Sequence, residues 1–354
     1  MYFKNFSRAH RRAAGFLFAS FAWHNPASAH EAWLLTPDEI ATLAQAPIPW
    51  LFTSHVVLGL AAFVGCAATG IALHINDRFA PIEARLASVL RAPALLLVPL
   101  ALRFGLGIML ILAGTGGLPR HGTAMWTTPT LLVPDMQLVL LTGWDWLALA
   151  QIVLGVFLIL GLGTRWAALV LGGLVALGLI LFGVKFLAYA PHFLAPALML
   201  IVTGAGSASA DHMIGGDDLF APTPRLVPTI WRLTQVLVGS CFVYLAVMYK
   251  LTQPTLLIAI LQHGDFPSFG LPLPVIALIM TGVEIICGAL LIAGRAVRPV
   301  AAVIIGAITF LAVTLGETPL FHANLYAVLF GFVLVGRDWD DLRANASVLR
   351  RVTA

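Results

Sequence analysis

The chain has 354 residues, of which 60% are hydrophobic and only 10% charged, with a formal net charge of +4. A soluble globular chain carries about a quarter charged residues to wet its surface, so this composition excludes a large soluble catalytic domain. The excess positive charge reads as topological anchoring rather than nucleic-acid binding. The apolar residues come in continuous blocks close to the roughly 20 residues that cross a bilayer core as helix. They do not alternate as transmembrane β-strands do. The expected fold is therefore an all-α integral membrane protein, because a helix satisfies its own backbone in lipid.

Residues 1–29 have the three parts of a secretory signal: a basic start (Lys4, Arg8, Arg11, Arg12), a short apolar stretch, and Ala27-Ser28-Ala29 as the cleavage site. Cleavage there makes His30 the first mature residue, in the run HEAWLLTPDEI. An α-amine and an imidazole on one residue can chelate a metal ion. The run is similar over about eight residues to the mature starts of some periplasmic copper- and nickel-handling proteins.

Nine spans are expected, at 50–75, 97–116, 146–163, 166–187, 190–206, 231–250, 274–294, 299–316 and 320–336. With a periplasmic mature N-terminus, the inner segments contain Arg78, Arg85, Arg91, Arg165, Arg225, Arg232, Arg295 and Arg298, and the tail adds Arg337, Arg343, Arg350 and Arg351. The outer segments hold only Arg120, Lys185 and Lys250. This bias fits a multi-pass protein of the bacterial inner membrane with a cytoplasmic C-terminus. The Pro-rich stretch 92–102 reads as a bent first turn or interfacial segment before the second span. Residues 206–230 read as an inner linker, and 117–145 and 251–273 as outer loops that cap the bundle. Trp33, Trp50, Trp126, Trp144 and Trp146 read as the interfacial aromatic belt. Cys66, Cys241 and Cys287 fall inside apolar blocks with no CxxC or metal-ligand spacing, and read as small core residues.

Two stretches repeat: QIVLGVFLILGLGTRWAA from Gln151 and EIICGALLIAGRAVRPVAA from Glu284. Gln151 matches Glu284, Gly155 matches Gly288, Gly161 matches Gly294, and Arg165 matches Arg298. Each stretch follows a span opening with arginine (Arg103, Arg232). Each half reaches a histidine at the outer start of its last helix (His192, His322). Both halves begin inside, so the expected repeat is parallel, with an axis along the membrane normal. The small residues suit close helix approach in lipid.

This pattern resembles the DoxX-like (DoxX/DoxD) superfamily of four-helix membrane proteins. The resemblance covers about residues 103–337, twice over, with 50–75 as an added first helix. With the signal segment, the expected organisation is a signal peptide at 1–29, an N-terminal segment at 30–96, DoxX-like four-helix repeats at 97–206 and 231–337, a linker at 207–230 and a tail at 338–354. Relatives include membrane subunits associated with quinone reduction and thiosulfate oxidation. The first half departs from the pattern by carrying Gln151 in place of the glutamate.

Glu284 lies in the middle of an apolar helix, where an ionisable group needs a partner or a function. It is the candidate catalytic residue for proton exchange with a quinone, with Arg103, Arg232 and Gln151 as candidate partners or quinone-site residues. An interhelical hydrogen bond is the structural alternative. Five histidines (His30, His121, His192, His263 and His322) fall outside, with Glu31 and Glu317. His55 lies in the outer turns of the first helix, while His74 and His212 are inside. His30, His192, His322 and Glu317 are therefore the candidate transition-metal ligands, against ordinary interfacial hydrogen bonding. Three functions remain open: a quinone-linked membrane redox module with a periplasmic partner, a copper- or nickel-handling protein, and a non-catalytic scaffold or assembly factor.

Overall fold

The computed structural model describes residues 34–120, 124–216 and 220–337. The signal segment, His30, Glu31 and His121 lie outside these, as does the tail beyond Arg337. The described residues form helices and no strand.

Helix α1 (Pro37–Ala44) starts at a capping box: the Thr36 hydroxyl accepts from the Glu39 amide at 3.2 Å, and the Glu39 carboxylate accepts from the Thr36 amide at 2.7 Å. Helix α2 (His55–Arg78) is long and apolar, yet none of its most hydrophobic 18-residue stretch is buried in the protein. Lipid is the solvent that fits such a surface. The helix touches the rest mainly along α9, and the Asn76 side-chain oxygen accepts from the Ala296 amide at 2.8 Å.

Helix α3 (Ala80–Thr115) revises the expected boundary. It runs unbroken through Pro93 and Pro99, so 92–102 is neither a separate interfacial segment nor the start of the helix. Its 36 residues extend about 54 Å at 1.5 Å per residue, more than the roughly 30 Å hydrocarbon core. Burial begins only at Ala94. The remaining elements are α4 (Trp146–Leu160), α5 (Thr164–Phe182), α6 (Ala190–Thr203), α7 (Val227–Leu245), α8 (Pro254–His263), α9 (Leu273–Ala293), α10 (Val297–Thr314) and α11 (Ala323–Val335). A π-helical wide turn, Ala246–Leu251, continues α7. Each expected span overlaps helix, with 50–75 and 166–187 each divided between two helices and 97–116 the latter part of a longer one. Six are long and apolar enough to cross a membrane by themselves, whereas Trp146–Leu160, Ala190–Thr203 and Pro319–Val335 are shorter apolar helices.

Two expected loops contain structure. Helix α8 occupies 254–263 and carries α1, with Leu35, Leu256 and Ile260 buried together and the Thr255 hydroxyl donating to the Leu43 carbonyl at 3.0 Å. In the 206–230 segment a short helix, Ala210–Ile214, is docked through Asp211. The Asp211 carboxylate accepts from the Gly163 and Thr164 amides at 2.6 and 2.8 Å, satisfying the start of α5.

The core depends on an exchange between halves. Helix α3 packs on α4 and on α11, while α7 packs on α9 and on α6; α5 covers α6 and α10 covers α11. The closing helix of each half thus lies against the opening helix of the other. Glycines make these crossings close. A Cβ on Gly105 would stand 2.5 Å from the Ala323 carbonyl, one on Gly155 2.7 Å from the Gly107 carbonyl, and one on Gly288 2.6 Å from the Gly239 carbonyl. We expect Gly288→Val to force α7 and α9 apart and destabilise the fold by roughly 1–3 kcal/mol, the usual range for overpacking. Thermal unfolding of the detergent-solubilised protein measures this.

Candidate functional site

Arginines gather at one end of the bundle and bind backbone oxygens. Arg103 donates to the carbonyls of Leu158 (3.0 Å), Ile159 (2.8 Å), Ala205 (2.7 Å) and Ala208 (2.8 Å). It joins the last turn of α4 to the chain leaving α6, where carbonyls have no partner within the helix. Arg232 reaches the matching carbonyls of α9, donating to Leu291 at 3.1 Å and to Ile292. Its register differs, however. Arg103 lies four residues before Gly107, whereas Gln235 lies four residues before the corresponding contact glycine, Gly239. Arg232 comes from one turn earlier and donates to the Gln235 side-chain oxygen at 2.8 Å on its way. Arg165 donates to the Ile201 carbonyl at 2.9 Å, and Arg298 to the carbonyls of Val333 and Val335 at 3.0 and 2.9 Å. Arg298 also pairs with Glu83.

Gln151 sits at the other end and is fully buried. Its oxygen accepts from the Leu132 amide at 2.8 Å, and its nitrogen donates to the carbonyls of Thr130 and Leu147 at 2.9 and 3.2 Å. These bonds draw the 130–138 segment into the bundle, with Leu131, Leu132, Val133 and Leu138 buried. The expected outer loop is packed core here. Arg103, Arg232 and Gln151 are thus brought to backbone groups and not to Glu284.

The partner of Glu284 is a residue outside that expectation. Lys250 donates its ammonium to Oε1 of Glu284, with the two side chains 19% and 25% exposed. The pair joins the wide turn after α7 to the middle of α9 and is partly exposed. The wide turn explains how Lys250 arrives. Lys250 lies in this turn next to Tyr249, whose ring meets that of Tyr244 edge to face at 6.0 Å. Such turns are frequent at functional sites. The second oxygen of Glu284 is buried and has no hydrogen-bond partner among the described residues.

His192 faces a thiol, with Cys241 Sγ 3.1 Å from its Nε2 and 3.3 Å from the Ala188 carbonyl. Asn324 ties the neighbouring helix start to it by donating to the His192 carbonyl at 3.0 Å. His322 Nε2 lies 3.6 Å from Glu317 Oε2. Among the described residues, no group of three His, Cys, Asp or Glu side chains is placed to hold a metal ion. His30 lies outside the described residues. Sequence reasoning missed Lys250, since a lysine near a helix end reads as a topological charge. It also missed the Cys241–His192 contact and the docking role of Asp211.

Apolar helices that bury their ionisable groups against backbone ends define a multi-pass α-helical membrane protein. No protein-family model, curated protein or solved structure matches the chain.

Proposed function

We propose that this chain is a DoxX-like protein of the bacterial inner membrane and serves as a membrane subunit or accessory of a quinone-linked periplasmic redox process. In this reading it has nine spans, built from one added helix and two parallel four-helix repeats after a cleaved signal. The repeats are supported by the like use of Arg103 and Arg232 on the ends of α4 and α9, and by the paired glycine crossings. The arginine-rich end is cytoplasmic under the positive-inside rule. The periplasmic end then carries α1, α8 and the electron-donating partner.

The carrying observation is the contrast between equivalent positions. Gln151 has its hydrogen-bonding groups taken by the 130–132 backbone and Leu147. Glu284 pairs with an ammonium through one oxygen, and its other oxygen is buried without a hydrogen-bond partner among the described residues. The first half is accordingly structural, and the second holds the chemistry. Glu284 exchanges a proton with a ring that enters from the bilayer, and Lys250 holds the carboxylate in place.

Quinone-linked turnover of membranes carrying the chain tests this. Glu284→Gln is expected to lower it roughly a hundredfold, the order of a positioned acid–base group. Unchanged turnover in an inserted, folded variant would remove Glu284 from the reaction.

A further inference from the structure

We infer that the arginine-rich end of the bundle binds the upper part of one phospholipid hydrocarbon chain. A half-open cavity of about 220 Å³ lies where the start of α5 meets the Ala210–Ile214 helix. It is smaller than the roughly 300–1,000 Å³ of sites for drug-sized ligands, so it takes a segment of chain and not a whole lipid. Leu162, Trp166, Ala205, Ile214 and Phe220 are among its walls, and the lining is mainly apolar. Asp211 and Arg165 also border it, and both are engaged. The Asp211 carboxylate accepts from the Gly163 and Thr164 amides, and Arg165 donates to the Ile201 carbonyl. One negative and one positive group, each held on backbone, leave the cavity no net charge to recruit an ion. Water there would find few polar partners.

The mouth of this cavity continues the outer side of α5. Trp166, Leu169, Gly173, Ala176 and Ile180 are exposed and recur every three or four residues, so they form one stripe along the helix. In an apolar spanning helix, that stripe faces lipid. Trp166 ends it at the arginine-rich side, where tryptophan suits the boundary between hydrocarbon and headgroups. Its ring stacks on Phe220 at 5.9 Å, and Phe220 lines the cavity. Met213, Ile214 and Phe220 are 86%, 71% and 53% exposed. Apolar side chains gathered like this mark a surface for lipid or for a partner. The continuity with the α5 stripe selects lipid, because a chain passes from the bilayer into the cavity without crossing water. Burying the apolar lining holds it there. A bound chain thereby fastens the segment joining the two halves to the bilayer.

The test irradiates the full chain in nanodiscs containing a photoreactive phospholipid. One probe carries a diazirine in the first half of an acyl chain, and a second carries it on the headgroup. Adducts are located by peptide mass spectrometry, with those on residues 169–180 as the internal reference for ordinary lipid contact. The chain probe is expected to mark Leu162, Ala205 or Gly216 in the cavity wall, and the headgroup probe is not. Ile214→Lys places a charge at the mouth. Phe220→Gly removes one wall and suits the left-handed backbone there (φ 60°). Each should lower the cavity adducts roughly fivefold or more against the reference, since each removes apolar contact with the chain. Adducts confined to the reference stripe overturn the inference and leave ordinary lipid contact. Cavity adducts made as readily by the headgroup probe, or left unchanged by both variants, overturn it too. The redox reading at Glu284 survives any of these results. Adducts at neither place would show that α5 does not face lipid, and the inference falls with it.

Discussion

Arg103→Leu should be among the most damaging single substitutions in the protein. Arg103 is 2% exposed, and its guanidinium holds four carbonyl oxygens from two separate chain segments. Leucine fills part of the volume but offers none of them a donor, and among the described residues only the Leu158 carbonyl keeps a backbone partner, the Gly161 amide at 3.0 Å. Each buried carbonyl left without a partner costs about 1–3 kcal/mol, and relaxation of the α4 end will recover some of this. We expect a net loss of roughly 3–5 kcal/mol, seen as a lower unfolding midpoint in detergent and reduced yield of monodisperse protein. Lysine should rescue only in part, since three donors on one point charge cannot reproduce the planar fork. Arg232→Leu should cost less. That side chain is only partly buried where Arg103 is almost fully so, and beside it Gln235 holds its own bond to the Arg337 carbonyl at 2.9 Å. A larger loss for Arg232→Leu than for Arg103→Leu would contradict this account.

The second large effect concerns the exchange of closing helices. A chain ending after Arg225 retains α3 to α6 but loses α11, against which α3 packs, and α7, against which α6 packs. Gly105, within contact distance of the Ala323 carbonyl, and Met199, which covers Gly331, would face lipid or detergent instead. We expect the first half alone to be degraded or aggregated when expressed, and co-expression of residues 226–354 to restore a folded complex. Size-exclusion chromatography and limited proteolysis measure this outcome. A stable, monodisperse first half would show that its own α3–α6 contacts suffice. Two self-sufficient four-helix bundles joined by a linker would tolerate the cut; an interlocked pair would not.

Much of the local structure is legible in the residues themselves. Continuous apolar runs define the helices because lipid penalises every unpaired backbone group, and glycines such as Gly161 and Gly294 end α4 and α9 in left-handed caps. The prolines of 92–102 mislead as boundary signals, since α3 passes through Pro93 and Pro99 unbroken. Helix α8 hides in an expected loop because its ten residues are too few to read as a span. Glu284 stands out in sequence by its cost in an apolar helix. Its partner does not, because Lys250 lies 34 residues away and meets Glu284 from the wide turn, and hydropathy carries no record of that contact.

The sequence alone determines the solvent of this protein, its helical class, its glycine crossings and the unusual carboxylate at Glu284, because each follows from composition or local spacing. Only the tertiary structure decides that Arg103, Arg232 and Gln151 bind backbone, that Lys250 holds Glu284, and that the closing helices change places. These depend on which groups from distant segments meet, and two polar side chains in an apolar chain look the same until their neighbours are known. One is used up by carbonyls at a helix end; the other pairs with an ammonium and leaves one buried oxygen without a partner among the described residues.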